Sequence, residues 1–350
     1  MYSPAASAKV VPEFNPTFDF TIVQVSKIFF NSTDRLRSGW RASIYVLIII
    51  VLSFFSGAFL QAVGVLADAL GLEKPWVENL IEILSWVLLF AVAVFAGWGC
   101  AKLLEDLPWR ALGWSHHKGA IRDFLVGSLI GVASILIATS IAAVSGGLRF
   151  KFFEAGAAFA VGKTLIGSGL LFILAAAGEE ALFRGYALQT FTRAGLVWLG
   201  VFLTSVPFAL VHLSNPNVSA GFTFVNTALA GAWLAAAYLR TRSLWFPLGI
   251  HWAWNWTMGS VFGIPVSGIT KLTPHPFFIS SDAGPSWLTG GAYGLEGGAA
   301  CTVALIISTI FILRTKLVAA TDEMIALTSH EIPKKNVTLI PESVQPPVSD

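Results

Sequence analysis

Eight long apolar segments follow one another along the chain, separated by short stretches that carry most of the polar residues. A membrane-spanning helix needs about 20 mostly apolar residues, since the hydrocarbon core is roughly 30 Å thick. The first segment, residues 43–67, contains no charged side chain at all. The second covers 83–101, with a start nearer Trp76. The pattern predicts further helices at residues 124–147, 163–191, 196–212, 218–239, 244–264 and 297–313.

The composition supports an all-α, polytopic membrane bundle over a soluble enzyme. Only 12% of the residues are charged and 55% are hydrophobic, whereas soluble domains carry roughly a quarter charged residues. The mean hydropathy of +0.72 points the same way. Two cysteines, Cys100 and Cys301, lie in apolar runs without a Cys-x-x-Cys motif, so we expect free thiols and no thiolate metal site.

The helices divide the chain into five predicted parts. Residues 1–40 form a cytoplasmic or interfacial segment, with an interfacial helix around 18–30, and residues 41–162 hold the first three helices. Residues 163–260 form the core of helices four to seven, followed by a loop and the eighth helix at 261–317. The loop 265–285 should be irregular. The tail 318–350, rich in Pro, Ser, Lys and Glu, should be disordered.

Basic residues in alternate loops predict the orientation of the bundle. Lys and Arg accumulate in the cytoplasmic loops of multi-pass membrane proteins. With eight helices, most basic segments fall on one side, which places both termini in the cytoplasm. One loop disagrees, because Arg149, Lys151 and Lys163 fall on the outer side. We therefore expect a multi-pass protein of the cell membrane. The sequence shows no basic patch or phosphate loop for a nucleic-acid partner.

Three charged side chains stand at the end of the uncharged run 164–178. They are Glu179, Glu180 and Arg184. Charge at membrane depth costs several kcal/mol, on the order of 3 kcal/mol even on the mildest scales. Glu180 and Arg184 are four residues apart and can pair on one helix face, while Glu179 points about 100° away and is free for another task. The alternative is a purely structural charge cluster at a helix end.

Two further polar pairs occur in apolar helices: Phe208 with His212, and His251 with Asn255. A single histidine or asparagine there could simply bond a neighbouring helix. With a turn near Gly195, Glu179 and His212 lie 16 and 17 residues from it, at nearly equal depth. His251 fits less well. It lies nine residues beyond Arg242, about 14 Å of helix, so a tilted, broken or protruding hairpin would be needed.

The ordered set Glu-Glu-x-x-x-Arg, Phe-x-x-x-His and His-x-x-x-Asn resembles the CAAX protease and bacteriocin-processing family. This family of intramembrane peptidases includes the eukaryotic CAAX prenyl endopeptidase and bacterial abortive-infection proteins. The resemblance covers about residues 163–260, and the segment from Trp109 to Trp114 is also similar to a loop often seen in members. It implies that Glu179 and His212 activate water, whereas His251 and Asn255 stabilise the oxyanion. Glu180, Arg184 and Phe208 support them.

These residue types suit peptide hydrolysis, with or without a metal. A buried or His-coupled carboxylate can act as a general base, and donors aimed at the oxyanion are usually the largest catalytic term. Glu179, His212 and His251 could also ligate zinc, since two histidines and one carboxylate form a known catalytic set. No His-Glu-x-x-His motif is present. Zinc-dependent and metal-free chemistry both remain open.

The sequence therefore predicts an integral-membrane endopeptidase. Its substrate would be a peptide or protein in or at the lipid bilayer. The first alternative is a non-catalytic membrane scaffold or maturation partner that keeps the fold. The second is a transporter with an intramembrane proton site, which would more naturally show two related halves. The sequence shows no such halves.

Overall fold

The computed structural model describes residues 26–218, 220–329 and 331 as a bundle of helices. The chain order of the helices is α1 Ser38–Ala69, α2 Lys74–Glu105, α3 Ala120–Val144, α4 Ala158–Arg193, α5 Val197–His212, α6 Ala220–Thr241, α7 Trp245–Trp256, α8 Ala299–Arg314 and α9 Asp322–Thr328. Two strands, β1 Leu148–Phe152 and β2 Phe278–Asp282, pair with each other in a two-stranded sheet. The predicted helical membrane fold is confirmed, and α1 to α8 correspond to the eight apolar segments.

Five helices in the described part of the chain are long and apolar enough to cross a membrane: α1, α2, α3, α4 and α6. The other three of the eight predicted helices are shorter, because α5 and α8 have 16 residues each and α7 has 12 residues before a π turn at Thr257–Val261. The sequence ends these helices early. Pro216 follows α5, Gly298 precedes α8, and Gly263 and Pro265 end the turn after α7. Shorter helices are tolerated at membrane depth where surrounding protein covers their ends.

Helix α4 contains one π turn directly after the glutamate pair. Its α-helical part Ala158–Glu180 runs into the π turn Ala181–Gly185, and regular α-helix resumes at Tyr186–Arg193. Single π turns inside α-helices occur often at functional sites. A turn at Gly195, which has a φ of 75°, then reverses the chain into α5, as the sequence predicts.

Helices α3 and α7 pack with their backbones in close contact. A Cβ atom added to Gly249 would lie 2.1 Å from the carbonyl oxygen of Phe124, and one added to Gly131 would lie 2.4 Å from that of Ile250. Gly127 has an equally close approach. Small residues permit this geometry in membrane bundles. The contact positions α7, which carries His251.

Buried ion pairs join the ends of three helices at one end of the bundle. Glu105 of α2 contacts Arg193 of α4 at 2.9 Å and Arg41 of α1 at 3.1 Å, all three side chains being buried. At the same end, Arg110 pairs with Glu323, and Arg240 donates to the carbonyl oxygen of Val318. The basic segments therefore gather at one end, as the loop pattern requires. The cytoplasmic location of that end stays a prediction.

Two segments expected to lack regular structure contain it. The predicted irregular loop includes β2, which pairs antiparallel with β1 so that Leu148 faces Asp282. Alternating apolar side chains favour such pairing. In the predicted disordered tail, Asp322–Thr328 is helical, because Thr321 caps it and Met324 is buried against the bundle. The tail beyond residue 331 lies outside the described residues.

Most of the predicted interfacial helix at 18–30 also lies outside the described residues, although residues 26–29 are helical. The proposed division of the chain at residues 40, 162, 260 and 317 stays a prediction.

Candidate active site

The buried centre of the site is an ion pair between Glu180 and Arg184. Both side chains are fully buried, and Arg184 Nη1 lies 3.1 Å from Glu180 Oε1. Arg184 Nη2 donates to the carbonyl oxygen of Gly231 at 3.0 Å, and its guanidinium lies 4.5 Å from the ring centre of Phe208. The contact expected from the four-residue spacing is present. Arg184 therefore ties α4 to α5 and α6 through one charged group.

His251 meets both glutamates, although depth counting from Arg242 placed it too near the membrane surface. Its Nδ1 lies 2.9 Å from Glu180 Oε1, and its Nε2 lies 3.7 Å from Glu179 Oε2. The second distance is too long for a hydrogen bond but short enough for an ion pair if the imidazole is protonated. Glu180 thus orients the ring, and the opposite nitrogen is directed towards Glu179.

An inserted loop explains how His251 reaches this depth. Gln189 of α4 donates to the Leu112 carbonyl oxygen at 2.8 Å, and the Leu244 amide donates to the Gly113 carbonyl oxygen at 2.9 Å. Gln189 and Leu244 are therefore level, inside the bundle. Glu180 lies nine residues from Gln189 along α4, and His251 lies seven residues from Leu244 along α7. At ~1.5 Å per residue, the two side chains are therefore displaced by similar distances from the same level. The tilted, broken or protruding hairpin considered from the sequence is therefore not needed to bring the two residues level.

His212, at the end of α5, faces the site from another side. Its Nδ1 lies 2.6 Å from the carbonyl oxygen of Phe208, which can only accept, so this nitrogen carries the proton. In the neutral ring Nε2 is then an acceptor. Phe208 and Phe183 make an edge-to-face contact with ring centres 5.2 Å apart, which holds the middle of α5 level with the π turn of α4.

A cavity of about 210 Å³ connects these groups. Glu179, His212, His251 and Asn255 all line it, together with aromatic side chains such as Trp86 of α2. The four residues predicted to carry the chemistry therefore open onto one space. Glu180 and Arg184 do not line this cavity but lie buried behind its wall, where they contact His251 and Phe208.

The predicted zinc ligands do not form a preassembled metal site. Across the described ranges, no group of three or more His, Cys, Asp or Glu side chains is arranged to hold a metal ion. His251 uses Nδ1 for Glu180, and its Nε2 is 3.7 Å from Glu179. His212 uses Nδ1 for a backbone carbonyl. Both histidines are held through Nδ1, which is also how metal-bound histidines are commonly oriented, so a zinc requirement stays a prediction.

Glu296 also lines the cavity and was missed from the sequence. It lies in a single 3-10 turn, Leu295–Gly297, just before α8. The signal that could have found it is its isolation, since it is the one charged residue between Asp282 and Arg314. Charged residues next to apolar helices are rare, and the glutamate pair was selected as a candidate site for that reason. The same reason applies to Glu296.

The arrangement is that of a polytopic membrane protein with an intramembrane polar site of glutamate, histidine and asparagine. Comparison with known proteins gives the family. The family described as type II CAAX prenyl endopeptidase Rce1-like matches residues 161–257, which include all seven motif residues. An uncharacterised 24.3 kDa protein of Escherichia coli is 30% identical over 181 residues, or 51% of this chain and 77% of the relative. No solved structure matches the chain.

The chain therefore belongs to the Rce1-like family of CAAX-type intramembrane endopeptidases, and the resemblance seen in its motifs is confirmed.

Proposed function

We propose that this protein hydrolyses a peptide bond of a substrate in or at the membrane, and that Glu179 activates the water. One observation carries the assignment. Glu179 lines the cavity and its buried Oε2 has no hydrogen-bond partner within the described part of the chain. Glu180 does not line the cavity and is held through Oε1 by Arg184 and His251, although its Oε2 also lacks a hydrogen-bond partner among the described residues. Of the two adjacent carboxylates, Glu179 is thus the one available to take a proton.

His212 is the second acceptor for the water. Because its Nδ1 proton is directed at a backbone carbonyl, the neutral ring offers the Nε2 lone pair. A water between Glu179 and His212 can donate one hydrogen bond to each. Glu179 takes a proton as the water oxygen attacks the substrate carbonyl, and it returns that proton to the leaving amine.

His251 and Asn255 are the donors for the oxyanion. A protonated His251 shares one N–H with Glu180 and presents the other at Nε2. With that proton, the charges of Glu179, Glu180, Arg184 and His251 sum to zero. Burial of an unpaired charge is costly, and the neutral set avoids that cost because each charge has an opposite charge nearby. Asn255 lies one helical turn further along α7, so its amide can donate to the same oxygen.

The test is cleavage by the purified full chain of a fluorogenic peptide library that includes peptides ending in a lipidated cysteine. We expect the wild-type protein to cleave part of the library and Glu179→Gln to cleave none, with unchanged thermal unfolding. The matched control is Glu82→Gln, since Glu82 pairs with Lys271 and does not line the cavity. Wild-type activity in Glu179→Gln would remove Glu179 from water activation, whereas no cleavage by the wild-type protein would favour the scaffold alternative.

The same cleavage assay with a chelator tests whether the activity requires a metal ion. We expect cleavage to persist after dialysis against a chelator, because no group of three ligands among the described residues is already arranged to hold a metal ion. Activity that is lost on chelation and restored by added zinc would overturn the metal-free scheme but leave the peptidase assignment in place.

A further inference from the structure

The cavity has a second polar region beside the residues proposed for catalysis. Its members come from the α5–α6 connection, from α6 and from the segment between α7 and α8, and all of them line the cavity: Asn215, Asn226, Thr227, Ser267 and Glu296. Only Glu296 among them is ionisable. Ser267 and Glu296 lie outside the residues that the family match covers, and the other three lie between its motifs.

Glu296 is held rigidly by three donors. Trp254 Nε1 donates to Oε1 at 3.1 Å, and the backbone and hydroxyl groups of Ser267 both donate to Oε2 at 2.7 Å. Its backbone carbonyl accepts from Asn226 at 2.9 Å. An ionised carboxylate has about four lone-pair sites, so one acceptor position remains, on Oε1. A bound group can therefore donate to a carboxylate that is already positioned.

The charge of Glu296 has no ionic partner in the residues the structure describes. Glu105 and Glu180 each pair with arginine, but no basic side chain forms an ion pair with Glu296. Its neighbours in the cavity wall are neutral donors and the rings of Trp254 and Trp233, whose centres are 5.5 Å apart. A carboxylate that is held by neutral donors alone is a favourable partner for an ammonium or guanidinium group.

We propose that Glu296 forms a subsite for a cationic group of the peptide substrate, namely a lysine or arginine side chain or a free amino terminus. This inference rests on the proposed peptidase function. Trp254 precedes Asn255 and follows His251 by three residues, so the subsite adjoins the proposed oxyanion donors. The cation should therefore lie within one or two residues of the cleaved bond.

The experiment uses pairs of synthetic peptides that are identical except for Lys or Met at one position near the cleaved bond. For the wild type we expect kcat/KM to be higher for the Lys peptide. In Glu296→Gln that ratio should fall by about ten- to hundredfold, because a charge-assisted hydrogen bond is replaced by a neutral one, while cleavage of the Met peptide is retained. Glu82→Gln, which removes a carboxylate outside the cavity, should keep the wild-type ratio.

Measuring peptide binding to catalytically inactive variants tests the subsite independently of the proposed peptidase function. The same peptide pair is titrated against Glu179→Gln and against the Glu179→Gln/Glu296→Gln double variant. A Lys preference that disappears only in the double variant supports the subsite even if no peptide is cleaved. Equal binding of Lys and Met peptides to Glu179→Gln would overturn it. So would equal losses for both peptides in Glu296→Gln, since that result indicates a purely structural role in holding Trp254 and Ser267.

Discussion

Removal of Arg184 should destabilise the protein, not only inactivate it. Arg184 is fully buried and makes three contacts: the ion pair with Glu180 at 3.1 Å, a hydrogen bond to Gly231 at 3.0 Å and the cation–π contact with Phe208 at 4.5 Å. Arg184→Met preserves much of the side-chain volume but leaves the carboxylate with His251 as its remaining ionic partner. Loss of one partner of a buried pair typically costs about 3–5 kcal/mol.

The double variant Glu180→Gln/Arg184→Met distinguishes an unpaired charge from lost packing. If the cost of Arg184→Met comes mainly from the Glu180 carboxylate that has lost its arginine, removal of that charge should recover about 0.5–3 kcal/mol of stability. Activity should not return, because Gln at position 180 no longer provides the charge that holds protonated His251.

The assay is unfolding in detergent mixtures, followed by circular dichroism, together with expression yield and peptide cleavage. Arg314→Met is the matched control, since Arg314 is exposed at the end of α8. Wild-type stability of Arg184→Met with only its activity lost would refute the reasoning, and it would indicate that Arg184 contacts the substrate.

Three further predictions concern the site and its scaffold. His212→Ala should abolish cleavage with unchanged thermal unfolding, measured on purified protein; substantial activity would remove His212 from water activation. Asn255→Ala should retain a residual rate about a hundred- to a thousandfold below wild type, since one oxyanion donor is lost; complete inactivity or a full rate would contradict this role. Gly249→Ala should sharply lower the yield of folded protein, because its Cβ would lie 2.1 Å from the Phe124 carbonyl oxygen. Gly167→Ala, with open space around it, is its control, and equal yields would disprove the packing argument.

The helices were predictable because a membrane helix is a local structure. Its length and apolar composition are set by the bilayer and its backbone hydrogen bonds are internal, so hydropathy alone locates it. The segment 43–67 became Ser38–Ala69, and 124–147 became Ala120–Val144. The Glu180–Arg184 contact was predictable for the same reason, since both partners belong to one helical surface.

Contacts between distant segments were decided by the tertiary structure. His251 contacts the glutamate pair because a loop at Leu112 and Gly113 brings the start of α7 inside the bundle. The local sequence around His251 does not encode that depth. The pairing of β1 with β2 joins residues more than a hundred positions apart. Glu296 enters the cavity in the same way, through a segment that folds back onto α7.

The sequence by itself determined the class of fold, the positions of the helices and the chemical groups available for catalysis, because these follow from local hydropathy and residue type. Only the tertiary structure decided that Glu179 lines the cavity and that Glu180 lies behind it, held by Arg184. Glu179 and Glu180 are adjacent in sequence and identical in chemistry. Their difference arises from Arg184 and His251, whose positions depend on the packing of α4 against α7.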